Sequence, residues 1–194
     1  GWGRADFEVL GAEVAELCRM APDPDLALAG VDRWLDAAPL PAERDLLEAL
    51  VLLAGSSRLA AKTLARSPAV LRRAARSPFL ARPRPEAQAW KLLARASRRL
   101  DPGDVDGLHR LLRGFAAREV VRIALRDLRR ARVGEVTAEL SGLATACVDA
   151  AIRFHDRRLR ARHGPPAGLG EREAGARRLS LTLGRAVEAA LLAE

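Results

Sequence analysis

The residues whose types and spacing could do chemistry lie on one basic helix, which the sequence predicts over residues 105–131. Arg118, Arg122 and Arg126 follow one another at intervals of four, and Glu119 precedes Arg122 by three. Residues three or four apart share a helix face. Such a face either holds surface ion pairs, worth about 0.2–0.5 kcal/mol each, or presents guanidinium groups to an acidic or phosphorylated partner. The spacing alone favours surface ion pairs, and the four residues remain candidates for a partner-facing surface.

A second candidate is the acidic turn DPGDVDG at residues 101–107. A calcium loop needs oxygen ligands at alternate positions and a bidentate Glu at position twelve. Counted from Asp101, position three is Gly103 and position twelve is Leu112, so the pattern fails. The turn instead predicts that Asp104 caps the helix that follows.

Other residue types give no stronger signal. The chain has three histidines: His109, His155 and His163. A zinc site needs three or four converging ligands, and the spacing of the histidines does not provide them. Cys18 and Cys147 lie far apart and are interpreted as small buried hydrophobic residues, or at most one adventitious pair. The segment GLGEREAG at residues 168–175 lacks the lysine and hydroxyl of a phosphate loop and follows a helix, so it is interpreted as a linker.

The elements that must position these residues are helices. Ala and Leu dominate the apolar residues, both are strong helix formers, and the apolar periodicity is 3.6 throughout with no alternating strand. The eight internal helices are predicted at about residues 6–20, 25–37, 41–54, 58–66, 69–75, 86–99, 105–131 and 135–162. The Pro-rich segment 79–86 is the most plausible internal linker. We expect an all-α bundle of eight or nine helices with short Pro- and Gly-punctuated connections.

The net charge of +8 and the isoelectric point near 11.1 are common among nucleic-acid-binding proteins. We discount a nucleic-acid-binding function because nearly all the positive charge is arginine, and GC-rich coding sequences can enrich a protein in arginine without selection for a basic surface. The arginines are also spread along the whole chain among aspartates and glutamates. The sequence therefore disfavours nucleic acid as a partner.

The sequence also indicates where in the cell the protein is located. No stretch is apolar for long enough to form a transmembrane helix, and the N-terminal residues lack the pattern of a signal peptide. We therefore expect a cytoplasmic protein with no membrane partner. The start at Gly1 suggests a fragment or a processed end.

Three segments resemble, in order, segments of the glutamine synthetase adenylyltransferase/adenylyl-removing enzyme family. They are GSSRLAAKTLARSPAVL at residues 55–71, LHRLLRGFAAREVVRIALRDL at 108–128 and EVTAELSGLATACVDAA at 135–151. In the family, an LRRFRRRE-(M/L)-LRIA-x-RDL segment and an EVT-x-ELS-x-LAD segment precede a catalytic core. The resemblance covers about residues 40–166 and implies the helical region of the adenylyl-removing half.

Members of this family are large cytoplasmic proteins with two nucleotidyltransferase domains. One domain attaches AMP from ATP to a tyrosine of glutamine synthetase, and the other removes it by phosphorolysis. The resemblance therefore implies Mg²⁺ and ATP or ADP for the intact enzyme. It also implies glutamine synthetase as a partner and a nitrogen-signalling regulatory protein as a second candidate.

The chain departs from the family where the catalytic core should begin. The family's G-x-G-K-x-G-G-x-E-L-N-x-x-S-D-x-D-L segment has glycines that approach phosphate and paired aspartates that hold metal ions. Gly168 and Gly170 could begin this motif, but the lysine and the S-D-x-D-L residues are missing. The residues at 176–190, ARRLSLTLGRAVEAA, resemble a helix that the family places after the metal-binding strands.

We therefore expect a helical domain at 1–163, a Gly/Pro-rich connector at 164–175 and a terminal helix at 176–194. We name no catalytic, cofactor-binding or metal-binding residue and predict that this chain is inactive alone. The alternative is a non-enzymatic helical module that binds an acidic protein partner or, less favoured, nucleic acid.

Overall fold

The computed structural model describes residues 4–165, together with the single positions 175 and 179. Within the described residues the chain forms helices and no strand, which confirms the all-α prediction. The helices are α1 (Arg4–Met20), α2 (Pro24–Leu35), α3 (Arg44–Ala54), α4 (Arg58–Arg66), α5 (Ala69–Ala75), α6 (Glu86–Ser97), α7 (Val105–Leu128) and α8 (Val133–His163). The predicted terminal helix and nearly all of the connector lie outside the described residues.

Side chains of the loops fix where several helices begin. Asp23 precedes α2, and its Oδ1 accepts a hydrogen bond from the backbone N–H of Leu26 at 2.9 Å. Ser57 caps α4 in the same way. The predicted cap at Asp104 is confirmed, since its Oδ1 accepts from the N–H of Gly107 at 2.7 Å. Each such cap satisfies an amide that the helix itself leaves unpaired.

Three apolar clusters hold the helices together. The first joins α1, α2 and α3, and the second joins α2, α3, α4, α5 and α7. The third joins α6, α7 and α8. Helix α7 gives Val121 and Leu125 to the second cluster, and Phe115 and Ile123 to the third. Because α7 is packed on two sides, it is the central helix of the described part of the chain.

Two helix ends differ from the prediction by three residues, and the others by two at most. Helix α3 begins at Arg44 and not at residue 41, because Glu43 has the extended backbone of an N-cap, with φ −79° and ψ 119°. Helix α7 ends at Leu128 and not at residue 131, because Arg130 adopts a left-handed conformation with φ 66°. The N–H groups of Arg130 and Ala131 donate back to the carbonyls of Asp127 and Arg126. This is the Schellman ending of a helix, in which the left-handed residue is usually glycine.

The predicted linker at 79–86 is non-helical up to Pro85, and it packs against other helices. It leads from α5 to α6 and contacts both α7 and α8 through the carbonyl of Phe79 and the N–H of Arg84. These contacts place the segment beside the charged side chains of α7.

Candidate functional site

The structure contradicts the expectation of a solvent-exposed charged face on α7. Glu119, Arg122 and Arg126 are only 2%, 1% and 4% exposed. Arg118 is the exception, since 34% of its side chain is exposed. The periodicity correctly placed Glu119, Arg122 and Arg126 on neighbouring turns of one helix, but the prediction that they form a surface is wrong, because α8 and the 79–86 segment cover them.

The buried charges form a continuous network, which we call the core ion network. Its members are Arg84, Glu119, Arg122, Arg126, Glu135 and Glu139. Glu119 lies at one end, where Arg84 donates to it from Nε at 3.0 Å and from Nη2 at 3.2 Å. Arg122 donates to the same carboxylate from Nε at 2.9 Å. Two guanidinium groups thus neutralise one buried carboxylate with near-ideal geometry.

Glu139 of α8 is the centre of the network. Its Oε1 accepts from Nη2 of Arg122 at 2.6 Å and from the backbone N–H of Arg84 at 2.9 Å. Its Oε2 accepts from Nη1 of Arg126. Arg126 also donates from Nη2 to Glu135 at 2.6 Å. One side chain of α8 therefore ties together α7 and the segment between α5 and α6.

The six members balance in charge, with three arginines against three glutamates, of which Glu135 is 36% exposed. This balance is required because an isolated charge inside a protein costs several kcal/mol or more. The partly exposed Arg118 adds a fourth guanidinium group, 3.6 Å from Glu119. Burial lowers the pKa of Arg84, and the neighbouring Glu119 opposes that shift. The guanidinium of Arg84 also lies 4.4 Å from the ring centroid of Phe79, a cation–π contact that favours its charged form.

A cavity of about 330 Å³ adjoins the network between α6, α7 and α8. Its wall includes Arg84, Glu119 and Arg122 on one side, and Gly142 and Leu143 of α8 on another. Because the charged groups on this wall are already paired with one another, the cavity offers little unsatisfied polar surface to a ligand.

The carboxylates of the network do not fit a metal ion. Their oxygens accept from guanidinium groups, which would repel a cation. No group of three or more His, Cys, Asp or Glu side chains within the described residues is arranged to hold a metal ion. The Mg²⁺ that the resemblance implies for the intact enzyme therefore finds no fitting set of ligands among the described residues, and the carboxylates of the network offer no free group to ATP or ADP.

The sequence predictions missed Arg84, Glu135 and Glu139. Glu135 and Glu139 are four residues apart in the EVTAELS segment, so the signal was a second charged helix face opposite the first. Arg84 gave no signal, because it stands among prolines in what the composition indicates to be a linker.

The histidines and cysteines lie apart from this network. His155 packs edge-on against Phe154, with 5.5 Å between the ring centroids. Burial lowers the pKa of His155, and Arg158 and His109 act in the same direction. Cys18 and Cys147 are both free thiols, and burial raises the pKa of each.

None of the described helices is long and apolar enough to cross a membrane.

Comparison with known proteins decides the family. Residues 47–187 match the sequence model of the family described as glutamate-ammonia ligase adenylyltransferase. The chain belongs to this family. The matched region contains α4 to α8 and every member of the core ion network.

Two relatives support the assignment to the glutamate-ammonia ligase adenylyltransferase family. The bifunctional glutamine synthetase adenylyltransferase/adenylyl-removing enzyme of Pseudomonas aeruginosa is 36% identical over 143 residues, which are 73% of this chain and 14% of that relative. The enzyme of the same name from Thioalkalivibrio sulfidiphilus is 36% identical over 153 residues, which are 78% of this chain and 15% of that relative. The matched region thus spans about one seventh of these relatives. No solved structure matches the chain.

Proposed function

We propose that this chain is the helical scaffold of a glutamine synthetase adenylyltransferase/adenylyl-removing enzyme. One observation supports this most strongly. Five charged residues of the family-like segments at 108–128 and 135–151 pair in the core ion network: Glu119, Arg122 and Arg126 on α7, and Glu135 and Glu139 on α8. Two of the three segments that resemble the family are thus joined to each other by these ion pairs.

The role that follows is mechanical. In the intact enzyme, α7 and α8 would support the catalytic segment that the family pattern places after them, and would help to present the modified tyrosine. The paired aspartates and the lysine of the family's catalytic motif are not in this sequence. The Mg²⁺ and nucleotide would therefore be held by a catalytic segment, in the cytoplasm, and this chain alone would not transfer or remove AMP.

A chimera tests the scaffold role. The matching region of the Pseudomonas aeruginosa relative is replaced by α4 to α8 of this chain, and the release of AMP groups from adenylylated glutamine synthetase is measured. We expect the chimera to retain activity and its Glu139→Gln variant to lose most of it. The matched control is Asp156→Asn, which removes a charge from an exposed ion pair on the same helix and should leave activity unchanged.

Two results would contradict the proposal. One is a chimera that is folded, by circular dichroism, and yet inactive. The other is a Glu139→Gln chimera with undiminished activity, since the core ion network would then contribute nothing to the enzyme. The 194-residue chain alone should show no activity in the same assay.

A second candidate function is docking of an acidic protein partner, either glutamine synthetase or a nitrogen-signalling regulator. The observation that favours it is the partial exposure of Arg118 at the edge of the core ion network. Since simple charge attraction is largely screened at about 0.3 M salt, a complex that persists there would favour docking. Loss of that complex in Arg118→Ala would assign the contact to this residue.

A further inference from the structure

A second, strongly basic cleft opens beside the core ion network. It has a volume of about 720 Å³ and lies between the end of α5 with the residues that follow it and the turn joining α7 to α8. Its charged lining consists of five arginines and one glutamate: Arg76, Arg126, Arg129, Arg130, Arg132 and Glu135. The volume is within the range of small-molecule sites, about 300–1,000 Å³.

The charges of this cleft are not balanced as those of the core ion network are. Arg126 pairs with Glu135, and Arg76 pairs with Glu43 at 3.1 Å. Arg129, Arg130 and Arg132 are exposed and form no ion pair within the described residues. Three exposed arginines therefore line one concave surface and form no ion pair with this part of the chain.

A buried donor adds to the case. Arg126 is only 4% exposed and lines the cleft. Its Nε–H is the one buried side-chain polar group of the described residues without a hydrogen-bond partner. Buried polar groups are nearly always paired, and an exception indicates a missing partner such as an ion or a water molecule.

The backbone gives a third and independent observation. Arg130 occupies the left-handed position of the Schellman turn with φ 66°, where glycine is the favoured residue. A side chain in this conformation is strained, and strain of this kind is concentrated at functional sites. The position that glycine usually occupies in this turn therefore carries an arginine that lines the cleft.

We propose that this cleft binds a small phosphate-bearing molecule. A phosphate group has three peripheral oxygens and up to two negative charges, and suits several guanidinium groups at once. A carboxylate has two oxygens and one charge, so it would neutralise only one of the three exposed arginines. The first free amides of α8, which begins at Val133, add the positive end of a helix dipole to the same turn. The proposal is independent of the scaffold role.

Calorimetric titration of the 194-residue chain with pyrophosphate, at about 0.15 M ionic strength, tests this site. We expect saturable binding with a Kd below about 1 mM. Arg129→Ala and Arg130→Gly should each weaken it about tenfold, the loss of one charge-assisted hydrogen bond. Arg130→Gly is the decisive variant, because glycine suits the left-handed backbone and the melting temperature should not fall.

The matched control is Arg113→Ala, which removes an exposed arginine of α7 that does not line the cleft. Orthophosphate and AMP, titrated in parallel, distinguish a free phosphate from a nucleotide as the source of the group. In nuclear magnetic resonance spectra, the Nε–H signal of Arg126 should move as pyrophosphate is added. The proposal is overturned by an absence of saturable binding, or by equal losses in Arg113→Ala and Arg130→Gly, which would mean that pyrophosphate responds only to net charge.

Discussion

Replacement of Glu139 by glutamine is the sharpest test of the core ion network. The side chain is only 3% exposed and accepts from Arg122, from Arg126 and from the backbone N–H of Arg84. Glutamine has nearly the same shape but no charge. Because both oxygens of Glu139 accept hydrogen bonds, the NH₂ group that replaces one of them must face an N–H donor. The substitution therefore leaves three buried arginines with two carboxylates and breaks at least one hydrogen bond.

The expected magnitude follows from this environment. Removing one partner of a buried ion pair costs about 3–5 kcal/mol, because the remaining charge is left uncompensated. For a chain of this size each kcal/mol lowers the melting temperature by about 2–4 °C, which gives a fall of about 6–20 °C. Since domains are stable by about 5–15 kcal/mol in total, Glu139→Gln should remove a large part of the free energy of unfolding.

Urea unfolding followed by helical circular dichroism measures this loss. The control is Asp156→Asn, whose partner is Arg160 and whose side chain is 52% exposed. Exposed pairs contribute about 0–1 kcal/mol, so the control should unfold close to the wild type. In a double-mutant cycle, Glu139→Gln and Arg122→Met should couple by more than about 1 kcal/mol. A loss below about 1 kcal/mol for Glu139→Gln would refute the argument, since the buried charges would then be worth no more than surface pairs.

Three further outcomes are expected. Gly30→Ala should lower the free energy of unfolding by about 1–3 kcal/mol, because its new Cβ would lie 2.5 Å from the Cβ of Ala54. In the control Gly114→Ala the new Cβ would meet nothing within 4 Å outside its own helix, so this variant should be neutral or stabilising by up to about 1 kcal/mol. Equal effects of the two variants in urea titrations would contradict the close packing of Gly30 against Ala54. The pKa of His155 is lowered in the folded state, so the unfolded chain binds the proton more readily and stability is lost as the pH falls below the ordinary histidine range, near 6.5. His155→Gln should flatten that part of a plot of stability against pH, and an unchanged slope would assign it to other groups. Cys18 is 5% exposed and its thiol pKa is raised, so it should react with a thiol reagent only when the chain unfolds. Cys18→Ala is the control, because it leaves Cys147 as the other thiol. Rapid labelling of Cys18 in the native chain would show instead that α1 opens.

The sequence predicted the helices best where polar caps and prolines mark both ends. Helices α4 and α5 have the predicted limits, because Ser57 caps the first and Ser67–Pro68 separates the two. The end of α7 could not be predicted in this way. Arg130 occupies the left-handed position at which a glycine usually marks the end of a helix, so the residue type gave no sign of the turn.

The candidate site was predicted less well, for a physical reason. Periodicity shows which residues share a helix face, but it does not show what covers that face. A stripe of Arg and Glu is usually solvated, and Glu119 and Arg122 are buried here only because Glu139 and Arg84 supply their counter-charges. Those partners come from a different helix and from a Pro-rich segment, at separations of 17 and 35 residues. Only the tertiary structure brings them together.

The core ion network also sets the register of two helices that could otherwise slide. The apolar contact between α7 and α8 is made by Phe115 and Ile123 on one side and by Leu143, Ala146 and Ala150 on the other, and apolar burial is not directional. A shift of one turn would move Glu139 by about 5.4 Å along the axis, beyond hydrogen-bonding reach of Arg122 and Arg126, and would leave charges of both signs buried. The network thus excludes the neighbouring alignments of the hairpin, and whatever follows α8 in the chain starts from one fixed position relative to α7.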